Sequence, residues 1–468
     1  WLMHKQIGLY GLGVMGQSLA RNIANKGFSI SVFNIETDVT KACCQKYPLL
    51  HGYENIADFV DSLEKSRKIL LMVTAGKVVD SVISSLVPLL SQGDILMDCG
   101  NSFFLDTERR QQELKEVGIR YIGCGVSGGE KGALEGPSIM PGGDRKAYAE
   151  VASIVTAMAA QNDDGSACCT YIGEKGAGHF VKMVHNGIEY ADMQLIAESY
   201  ALLKNYYQQD MKKIQMAFHR LAQGPLNSYL MDITCDILRR KDDKKEGWLV
   251  NYVSDVARQK GTGKWTSQIS FDYSVAIPSL TEAVQTRFLS MNHVERTQAS
   301  ALYPHASCKM EITEEAFLQM LEKAMLAAKM SIYAQGFSLI TSVSRQKEYH
   351  IDCIALANIW QNGCIIKSAF LKDIMQAFKE ACAYDNLILS SVYQKKLAET
   401  RHDLQNLVSM GVLQSLHLPI FTSALQYMQG ITCAALPTNL IQAQRDCFGA
   451  HTYERTDAQG SFHSDWQA

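Results

Sequence analysis

The sequence predicts an α/β protein with a Rossmann-like, doubly wound sheet, then a large all-α domain and a short C-terminal tail. Two observations lead to this prediction. A glycine-rich loop, Gly11–Gly16, stands between an apolar strand and a helical pattern. After about Gly176 the strand signals fade, and segments with helical apolar spacing follow. We therefore expect three parts: residues 1–176, 177–435 and 436–468.

The nucleotide-binding part begins with a βαβ unit. The strand Gln6–Tyr10 runs into a full GxGxxG loop, a helical pattern follows, and a second strand spans Phe28–Phe33. The glycines permit a tight turn, close approach of a pyrophosphate and close packing of the helix on the strand. We therefore predict a dinucleotide site and disfavour an ordinary glycine-rich turn. Its loop residues are Gly11, Leu12, Gly13, Val14, Met15 and Gly16.

Further strands alternate with helical stretches, which predicts a mostly parallel sheet. They are Ile69–Val73, Ile95–Asp98, Tyr121–Ile122 and Thr170–Ile172. Ligands of such sheets bind beyond the carboxyl ends of the strands. Three strand ends carry turn or polar residues that are expected to line the nucleotide crevice, although plain turns are the alternative. They are Val73-Thr74-Ala75-Gly76, Asp98–Ser102 with Asn101, and Val126–Glu130 with Ser127, Gly128 and Gly129.

The helical part opens with the most informative segment, Phe180–Tyr190. At about 100° per residue, one helix face carries four polar side chains: Lys182, His185, Asn186 and Glu189. The apolar flanks indicate a buried helix, where Lys and Glu are uncommon without a task. An amine and a carboxyl on one face can act as separate proton-transfer groups. A solvated stripe of i,i+4 pairs is the alternative.

The rest of this part is also helical in pattern. Gly176–Tyr207 is predicted to be one long helix, and Ala316–Ala334 and Ile351–Ala377 are helical as well. From Leu436 the chain is too polar to form a core of its own, so we expect this tail to pack on another surface.

Composition excludes several classes of protein. The 468 residues are 47% hydrophobic, with a net charge of −3 and a pI near 6.5, so we expect no nucleic-acid partner. The sequence shows no membrane span and no secretory signal. The 13 cysteines form no CxxC pair, which predicts reduced thiols in a cytoplasmic protein and no metal site. We suspect that the residues ahead of Met3 are not native.

Together these motifs resemble the 6-phosphogluconate dehydrogenase (decarboxylating) family of the pentose phosphate pathway and gluconate utilisation. The resemblance spans nearly the whole chain. In order, the matching segments are Gly11–Gly16, Val126–Glu130, Gly136–Gly143, Lys182–Tyr190, Lys260–Thr266, Gly363–Ile366 and Gln444–Glu454.

The resemblance implies oxidative decarboxylation of 6-phosphogluconate to ribulose 5-phosphate and CO₂, with reduction of NAD or NADP. Lys182 would be the general base for the substrate 3-hydroxyl, and Glu189 the general acid that protonates the enediol. Burial favours both roles, because it lowers the pKa of a lysine and raises that of a glutamate.

The resemblance also implies substrate contacts and an assembly. The expected substrate-binding residues are Asn101, Ser127, Gly128, Gly129, His185, Asn186, Tyr190, Lys260, Thr262, Arg287, Arg445 and His451. Arginines suit a phosphate because a guanidinium binds its oxygens bidentately. The family forms homodimers whose tails reach the partner subunit, so Arg445 and His451 would serve the partner's active site. Tetramers stay possible.

The coenzyme site departs from the family pattern, whose default coenzyme is NADP. Where the family usually has Asn-Arg-Thr, this chain has Asn34-Ile35-Glu36-Thr37. In the turn after the next strand, Thr74, between Val73 and Ala75, replaces the family's lysine. A carboxylate at this distance from the loop commonly binds the ribose 2′-hydroxyl of NAD. The departure therefore favours NAD or dual use. The alternative is that Glu36 faces solvent and another cation, such as Lys41, serves NADP.

Two other functions were weighed against this one. A shorter β-hydroxyacid dehydrogenase, such as one acting on 3-hydroxyisobutyrate, would share the loop and the lysine but lack the tail with Arg445 and His451. A non-catalytic relative would be indicated by loss of Lys182 or Glu189, and both are present. A further departure, Gln361-Asn362 and Lys367 in place of Arg-Gly and Arg, is expected to affect packing or the dimer contact.

Overall fold

The computed structural model describes residues 4–305, 310–380 and 386–467, so the prediction about residues 1 and 2 lies outside it. Seven strands form one sheet: β1 Ile7–Tyr10, β2 Ile30–Phe33, β3 Leu50–Gly52, β4 Lys68–Leu71, β5 Ile95–Asp98, β6 Arg120–Ser127 and β7 Ser138–Gly143. Seven helices lie between or after these strands: α1 Val14–Asn25, α2 Thr37–Lys46, α3 Ile56–Asp61, α4 Lys77–Leu86, α5 Phe104–Glu116, α6 Gly129–Glu135 and α7 Arg145–Met158.

The remainder is helical, which confirms the predicted fold class. The helices are α8 Ala177–Tyr206, α9 Met211–Leu221, α10 Tyr229–Arg239, α11 Thr262–Asp272, α12 Pro278–Met291, α13 His293–Leu302, α14 Glu314–Lys347, α15 Cys353–Ile359, α16 Leu371–Lys379, α17 Ser391–Leu413, α18 Pro419–Ile431 and α19 Thr438–Gly449. A small antiparallel pair, β8 Tyr453–Glu454 and β9 Ser461–Phe462, follows α19.

The sheet has the order β3-β2-β1-β4-β5-β6-β7, and all neighbours are parallel except β6 and β7. Chain order reverses between β1 and β4, so the loops that follow these two strands flank a crevice suited to a ligand. Alternate residues of β4 belong to two different apolar clusters. Leu70 lies in one cluster, and Ile69 and Leu71 lie in the other. The sheet is therefore covered by apolar packing on both faces.

Helix α8 joins the sheet to the helical part. It packs against β6 and β7 on one side and against α11, α12 and α14 on others. The sequence prediction of one long helix over Gly176–Tyr207 is confirmed. Most of its side chains are buried, so the polar groups on it lie in the interior rather than on a solvated face.

Two predicted elements differ from the structure. Thr170–Ile172 was expected to be a strand, but it is irregular and runs beside β7 with isolated hydrogen bonds such as Ile172 N–H to the Pro141 carbonyl, 2.8 Å. Pro141 itself has no N–H to donate, which limits regular pairing there. The predicted helical segment Ile351–Ala377 is two helices, α15 and α16, separated by the Gly363 loop.

The chain divides into two compact units, Trp1–Ala424 and Leu425–Ala468. The division into residues 1–176, 177–435 and 436–468 stays a prediction. The cysteines that the structure describes are all free thiols. Within the described residues, no group of three or more His, Cys, Asp or Glu side chains could hold a metal ion. None of the described helices combines the length and apolar character that crossing a membrane requires.

Candidate active site

The glycine loop has the geometry that a dinucleotide requires. Gly11 has φ +107°, and a Cβ there would lie 2.2 Å from the Met72 carbonyl oxygen. A Cβ on Gly16 would lie 1.8 Å from the Gly11 carbonyl oxygen, so both glycines are required by the fold itself. Gly13, by contrast, has nothing within 4 Å, and α1 begins at the next residue. The loop therefore leaves open space at a helix N-terminus, where a pyrophosphate is favoured.

Asn34 links the glycine loop to the carboxylate that follows β2. Its Oδ1 accepts from the Leu12 N–H at 2.9 Å, and its Nδ2 donates to Glu36 Oε2 at 2.8 Å. Ile35, at the position where the family carries arginine, is 76% exposed. Glu36 is thus held by a residue that also binds the glycine loop.

Two positions bear on whether a 2′-phosphate could be bound here. Lys41 forms an ion pair with Glu54, 3.1 Å between Nζ and Oε1. Thr74 is exposed on the turn after β4, between the half-buried Val73 and Ala75. A threonine offers no positive charge to a phosphate.

A buried network that the sequence prediction missed supports the turns after β4 and β5. Asp98 accepts from Tyr121 Oη at 3.1 Å and from Ser102 Oγ, and Arg110 donates to the Gly76 carbonyl at 2.9 Å. Arg110 is 1% exposed and also pairs with Asp80. These contacts hold both turns, and Asn101, in the turn after β5, is exposed. The sequence signal was weak, since Arg110 lies in an otherwise polar helix.

Two glycines let α8 approach the sheet. A Cβ on Gly125 in β6 would lie 2.5 Å from the Cβ of Lys182, and a Cβ on Gly178 would lie 2.3 Å from the Gly123 carbonyl oxygen. Because only glycine fits, the lysine is carried directly over the strand. A glycine inside a strand indicates such a close approach, and this signal was available in the sequence.

The Lys182 amine is buried and hydrogen-bonded. Its side chain is buried and donates from Nζ to Asn186 Oδ1 at 2.9 Å. The Asn186 Nδ2 donates to Thr262 Oγ1 at 2.9 Å, which fixes the orientation of the amide. Burial lowers the pKa of Lys182 below its usual value of 10.5, against the opposing effect of Glu189. Burial therefore shifts the amine toward its neutral form.

His185 connects this group to the loop after β6. Its Nδ1 lies 3.1 Å from Asn186 Oδ1, and its Nε2 lies 3.2 Å from Ser127 Oγ. Burial, reinforced by Lys182, holds the pKa of His185 well below its usual range, so the ring is neutral. A neutral ring that donates from Nδ1 accepts at Nε2 from the serine hydroxyl. Ser127 in turn accepts from the Ile365 N–H at 3.4 Å, a contact that the sequence prediction missed.

Glu189 lies two turns along α8 from Lys182. Its side chain is 18% exposed, and Oε2 is 3.8 Å from His185 Nδ1. Burial raises the pKa of Glu189 above its usual value of 4.5, and this outweighs the opposing effects of Lys182 and Arg287. The two groups on one helix therefore shift in opposite directions, the lysine toward a base and the glutamate toward an acid.

A cation lies beside this pair. The Arg287 guanidinium stacks on the Tyr190 ring at 3.6 Å from the centroid, and its Nη1 donates to the Arg258 carbonyl at 2.8 Å. Lys260 is exposed near the end of the same loop, just before α11. Arg287, Tyr190 and Glu189 thus lie together, and the Arg258 carbonyl is a support that the sequence prediction missed.

The remaining predicted residues fall in two places. Gly128 (φ +127°) and Gly129 (φ +64°) form the turn into α6, and a Cβ on Gly128 would lie 2.7 Å from the Gly363 carbonyl oxygen. Arg445 and His451 belong to the C-terminal unit, where both are exposed.

A dinucleotide fold joined to a helix with a buried lysine and a largely buried glutamate indicates a nicotinamide-dependent dehydrogenase. The comparisons with known proteins are more specific. The NAD binding domain of 6-phosphogluconate dehydrogenase matches residues 6–173, and the C-terminal domain of that enzyme matches residues 178–466. The chain belongs to the 6-phosphogluconate dehydrogenase family.

Individual relatives match along their full length. Two Bacillus subtilis proteins are each 47% identical: the NADP(+)-dependent decarboxylating 6-phosphogluconate dehydrogenase over 99% of both chains, and the NAD(+)-dependent one over 99% of this chain and 100% of the relative. A solved Plasmodium falciparum 6-phosphogluconate dehydrogenase has a TM-score of 0.96 and 38% identity, covering 98% of this chain and 100% of that one. Equal identity to both Bacillus proteins leaves the coenzyme to be argued from individual residues.

Proposed function

We propose that this chain catalyses oxidative decarboxylation of 6-phosphogluconate to ribulose 5-phosphate and CO₂ with NAD(P) as oxidant. The observation that carries the proposal is the pair on α8. Burial favours a neutral amine on Lys182 and a protonated carboxyl on Glu189, in a family that couples this helix to a nucleotide fold. Those are the protonation states that a base and an acid must have before the reaction.

Lys182 acts first. Its neutral Nζ takes the proton of the substrate 3-hydroxyl. A nicotinamide bound at the glycine loop would supply the acceptor for the C3 hydride. The residues that would hold the dinucleotide are Gly11, Leu12, Gly13, Val14, Met15, Gly16, Asn34, Ile35, Glu36, Val73, Thr74, Ala75 and Asn101. The open space at Gly13 supports this assignment.

Decarboxylation follows from the 3-keto acid. The lysine, now an ammonium, donates to the C3 carbonyl oxygen as the bond to the carboxylate breaks, and the electron pair forms the enediol. Asn186 Oδ1 accepts from Nζ in the resting structure at 2.9 Å, so it keeps the amine oriented for both steps. Glu189 then delivers its proton to C1 of the enediol, which gives ribulose 5-phosphate.

The other polar groups bind substrate. Ser127, His185, Asn186 and Thr262 form one hydrogen-bonded group beside Lys182, and its acceptors suit the substrate hydroxyls. Arg287, close to Tyr190, suits the phosphate. The remaining proposed contacts are Asn101, Gly128, Gly129, Lys260, Arg445 and His451.

For the coenzyme, we infer a preference for NAD or dual use. Asn34 holds the Glu36 carboxylate by a hydrogen bond of 2.8 Å, Ile35 brings no charge, and Lys41 is paired with Glu54. A carboxylate here binds a ribose 2′-hydroxyl and repels a 2′-phosphate.

The assembly is proposed as a homodimer that exchanges tails, with tetramers as a further possibility, in the cytoplasm. The free thiols of the described cysteines support a reducing compartment. Light scattering of the purified chain would show a mass near that of one chain if the dimer proposal is wrong.

The test of the activity is direct. Purified protein is mixed with 6-phosphogluconate and either coenzyme, and reduced nicotinamide, CO₂ and ribulose 5-phosphate are measured. We expect all three products in equal amounts, and loss of about 10²–10⁴-fold in kcat for Lys182→Met. Absence of reduced coenzyme and of CO₂ with both coenzymes refutes the proposed reaction.

The test of the coenzyme is a paired comparison. We expect a higher kcat/KM with NAD than with NADP, or similar values, and a shift of about tenfold or more toward NADP in Ile35→Arg, because one charge-assisted contact is worth about that factor. Lys41→Ala is the matched control, since it removes the alternative cation. A strong NADP preference that Lys41→Ala abolishes would show that Lys41, and not Glu36, decides the coenzyme.

A further inference from the structure

The C-terminal unit contains a clamp around the residue that follows His451. Gln442 and Asp446 lie one turn apart on α19 and bind both backbone groups of Thr452. The Gln442 Nε2 donates to the Thr452 carbonyl at 2.8 Å, and the Thr452 N–H donates to Asp446 Oδ1 at 2.9 Å. Thr452 has φ +66°, which is unfavourable for a β-branched residue and persists only where the surroundings impose it.

Gln442 also holds Arg445. The Arg445 Nη1 donates to Gln442 Oε1 at 3.0 Å, so the two ends of one amide are committed, the oxygen to Arg445 and the nitrogen to Thr452. The amide thus ties the direction of the guanidinium to the backbone beside His451. Arginine side chains are otherwise flexible, and ordering them on binding is costly.

Asp446 connects α19 to the segment that follows β9. It is fully buried and also accepts from His463 Nδ1 at 2.9 Å, from the Ser464 N–H at 3.1 Å and from Trp466 Nε1 at 2.8 Å. Burial alone would raise the pKa of Asp446, but these hydrogen bonds hold the pKa well below its usual range. The carboxylate therefore binds the segment after β9 to α19.

The His451 ring lies against the exposed end of α19. A Cβ on Gly449 would lie 2.7 Å from His451 Nε2, and the Phe448 ring lies edge-on at 5.8 Å between centroids. Gly449 thus admits the ring against the end of α19. Arg445 and His451 are both exposed, and so are Phe448 and Gly449. By contrast, Gln442 and Thr452 are half-buried, and Asp446 is buried.

We propose that Gln442 and Asp446 are positioning residues that present Arg445 and His451 as one preformed site for the phosphate of the substrate. This inference rests on the proposed function, in which those two side chains bind 6-phosphogluconate. Neither support needs to touch the substrate. Their effect is to reduce the freedom that Arg445 and His451 lose on binding.

The test is steady-state kinetics of the full chain. Gln442→Met keeps the size and helix preference of the side chain but removes both hydrogen bonds. We expect KM for 6-phosphogluconate to rise by up to about tenfold, the cost of ordering one flexible side chain on binding, with kcat and the KM for the coenzyme unchanged within about twofold. Gln442→Glu keeps an acceptor for Arg445 but cannot donate to the Thr452 carbonyl, so it is expected to raise the same KM.

Matched variants separate the possible outcomes. Asp446→Asn should raise the same KM, and Arg455→Ala, which breaks the exposed pair with Asp457 in the same unit, should leave it unchanged. A wild-type KM in Gln442→Met, while Arg445→Ala raises KM, overturns the clamp and leaves the proposed function standing. Unchanged KM in Arg445→Ala and His451→Ala overturns the clamp as well, because nothing would then need positioning. Wild-type protein without activity refutes the proposed function itself.

Discussion

Replacing Gly125 with alanine should displace Lys182, because β6 and α8 touch at this point. The new Cβ would lie 2.5 Å from the lysine Cβ and 3.1 Å from the Gly178 carbonyl oxygen. Ordinary contact begins at 3.4 Å, so strand and helix must separate by about 0.9 Å. Neither neighbour is the free end of a side chain, so the shift passes to the backbone of α8.

Two quantities should change together. Overpacking of this kind costs about 1–3 kcal/mol in the free energy of unfolding. A misplacement of about 1 Å in a catalytic group can reduce the rate about 100-fold. We therefore expect kcat for 6-phosphogluconate oxidation to fall by about two orders of magnitude, measured from reduced nicotinamide. Urea unfolding followed by circular dichroism gives the stability.

The control is the same substitution where there is room. A methyl group added to Gly430 in α18 would have nothing within 4 Å, so Gly430→Ala should keep wild-type kcat and stabilise by up to about 1 kcal/mol. The reasoning is refuted if Gly125→Ala keeps wild-type kcat, since contact with the strand would then not set the position of Lys182.

Three further predictions concern buried charges. The rate should fall at low pH as Lys182 is protonated and at high pH as Glu189 ionises. In Glu189→Gln, kcat should fall about 10²–10⁴-fold, and the pH–rate profile should no longer decline at high pH. Asp192 and Lys329 form a buried ion pair, with 3.0 Å between Oδ2 and Nζ. Asp192→Asn should lower the free energy of unfolding in urea by about 3–5 kcal/mol, because it leaves the buried lysine without its counter-charge, and adding Lys329→Met should restore part of the loss. The pKa of Glu198 is raised by burial from 4.5 to about 8, so its contribution is complete at low pH and is lost as pH rises toward 8; thermal unfolding of Glu198→Gln across this interval should show a weaker decline than the wild type.

The sequence predicts best where one element carries the signal. The βαβ unit and α8 are local patterns, so the glycine loop and the stripe from Lys182 to Glu189 follow from spacing alone. The strand β7 was missed because Pro141 and its neighbouring glycines are typical of a turn. It forms because β6 pairs with it through backbone hydrogen bonds, with Cys124 opposite Pro141. The spacing of apolar residues within β7 does not indicate that pairing.

In the candidate site, too, contacts within one element could be predicted and contacts between elements could not. Lys182 and Asn186 are one turn apart, and their contact could be expected from the helix. The hydrogen bond between Ser127 and His185 joins residues from a strand end and a helix, and the Ile365 N–H comes from a loop much later in the chain. Such long-range contacts depend on how the elements pack, which composition and periodicity do not encode.

The bridge made by Asn34 has a consequence for how coenzyme use can evolve or be engineered. Its amide serves the glycine loop and Glu36 at once, with bonds of 2.9 and 2.8 Å. Removing the carboxylate takes away the acceptor of the amide nitrogen, and replacing Asn34 removes the bonds to both the loop and the acid. Under the proposed coenzyme preference, selectivity and loop rigidity are therefore linked in this chain. Substitutions at residues 34, 35 and 36 should be non-additive, and a library that varies them together should yield efficient NADP variants that single changes do not reach.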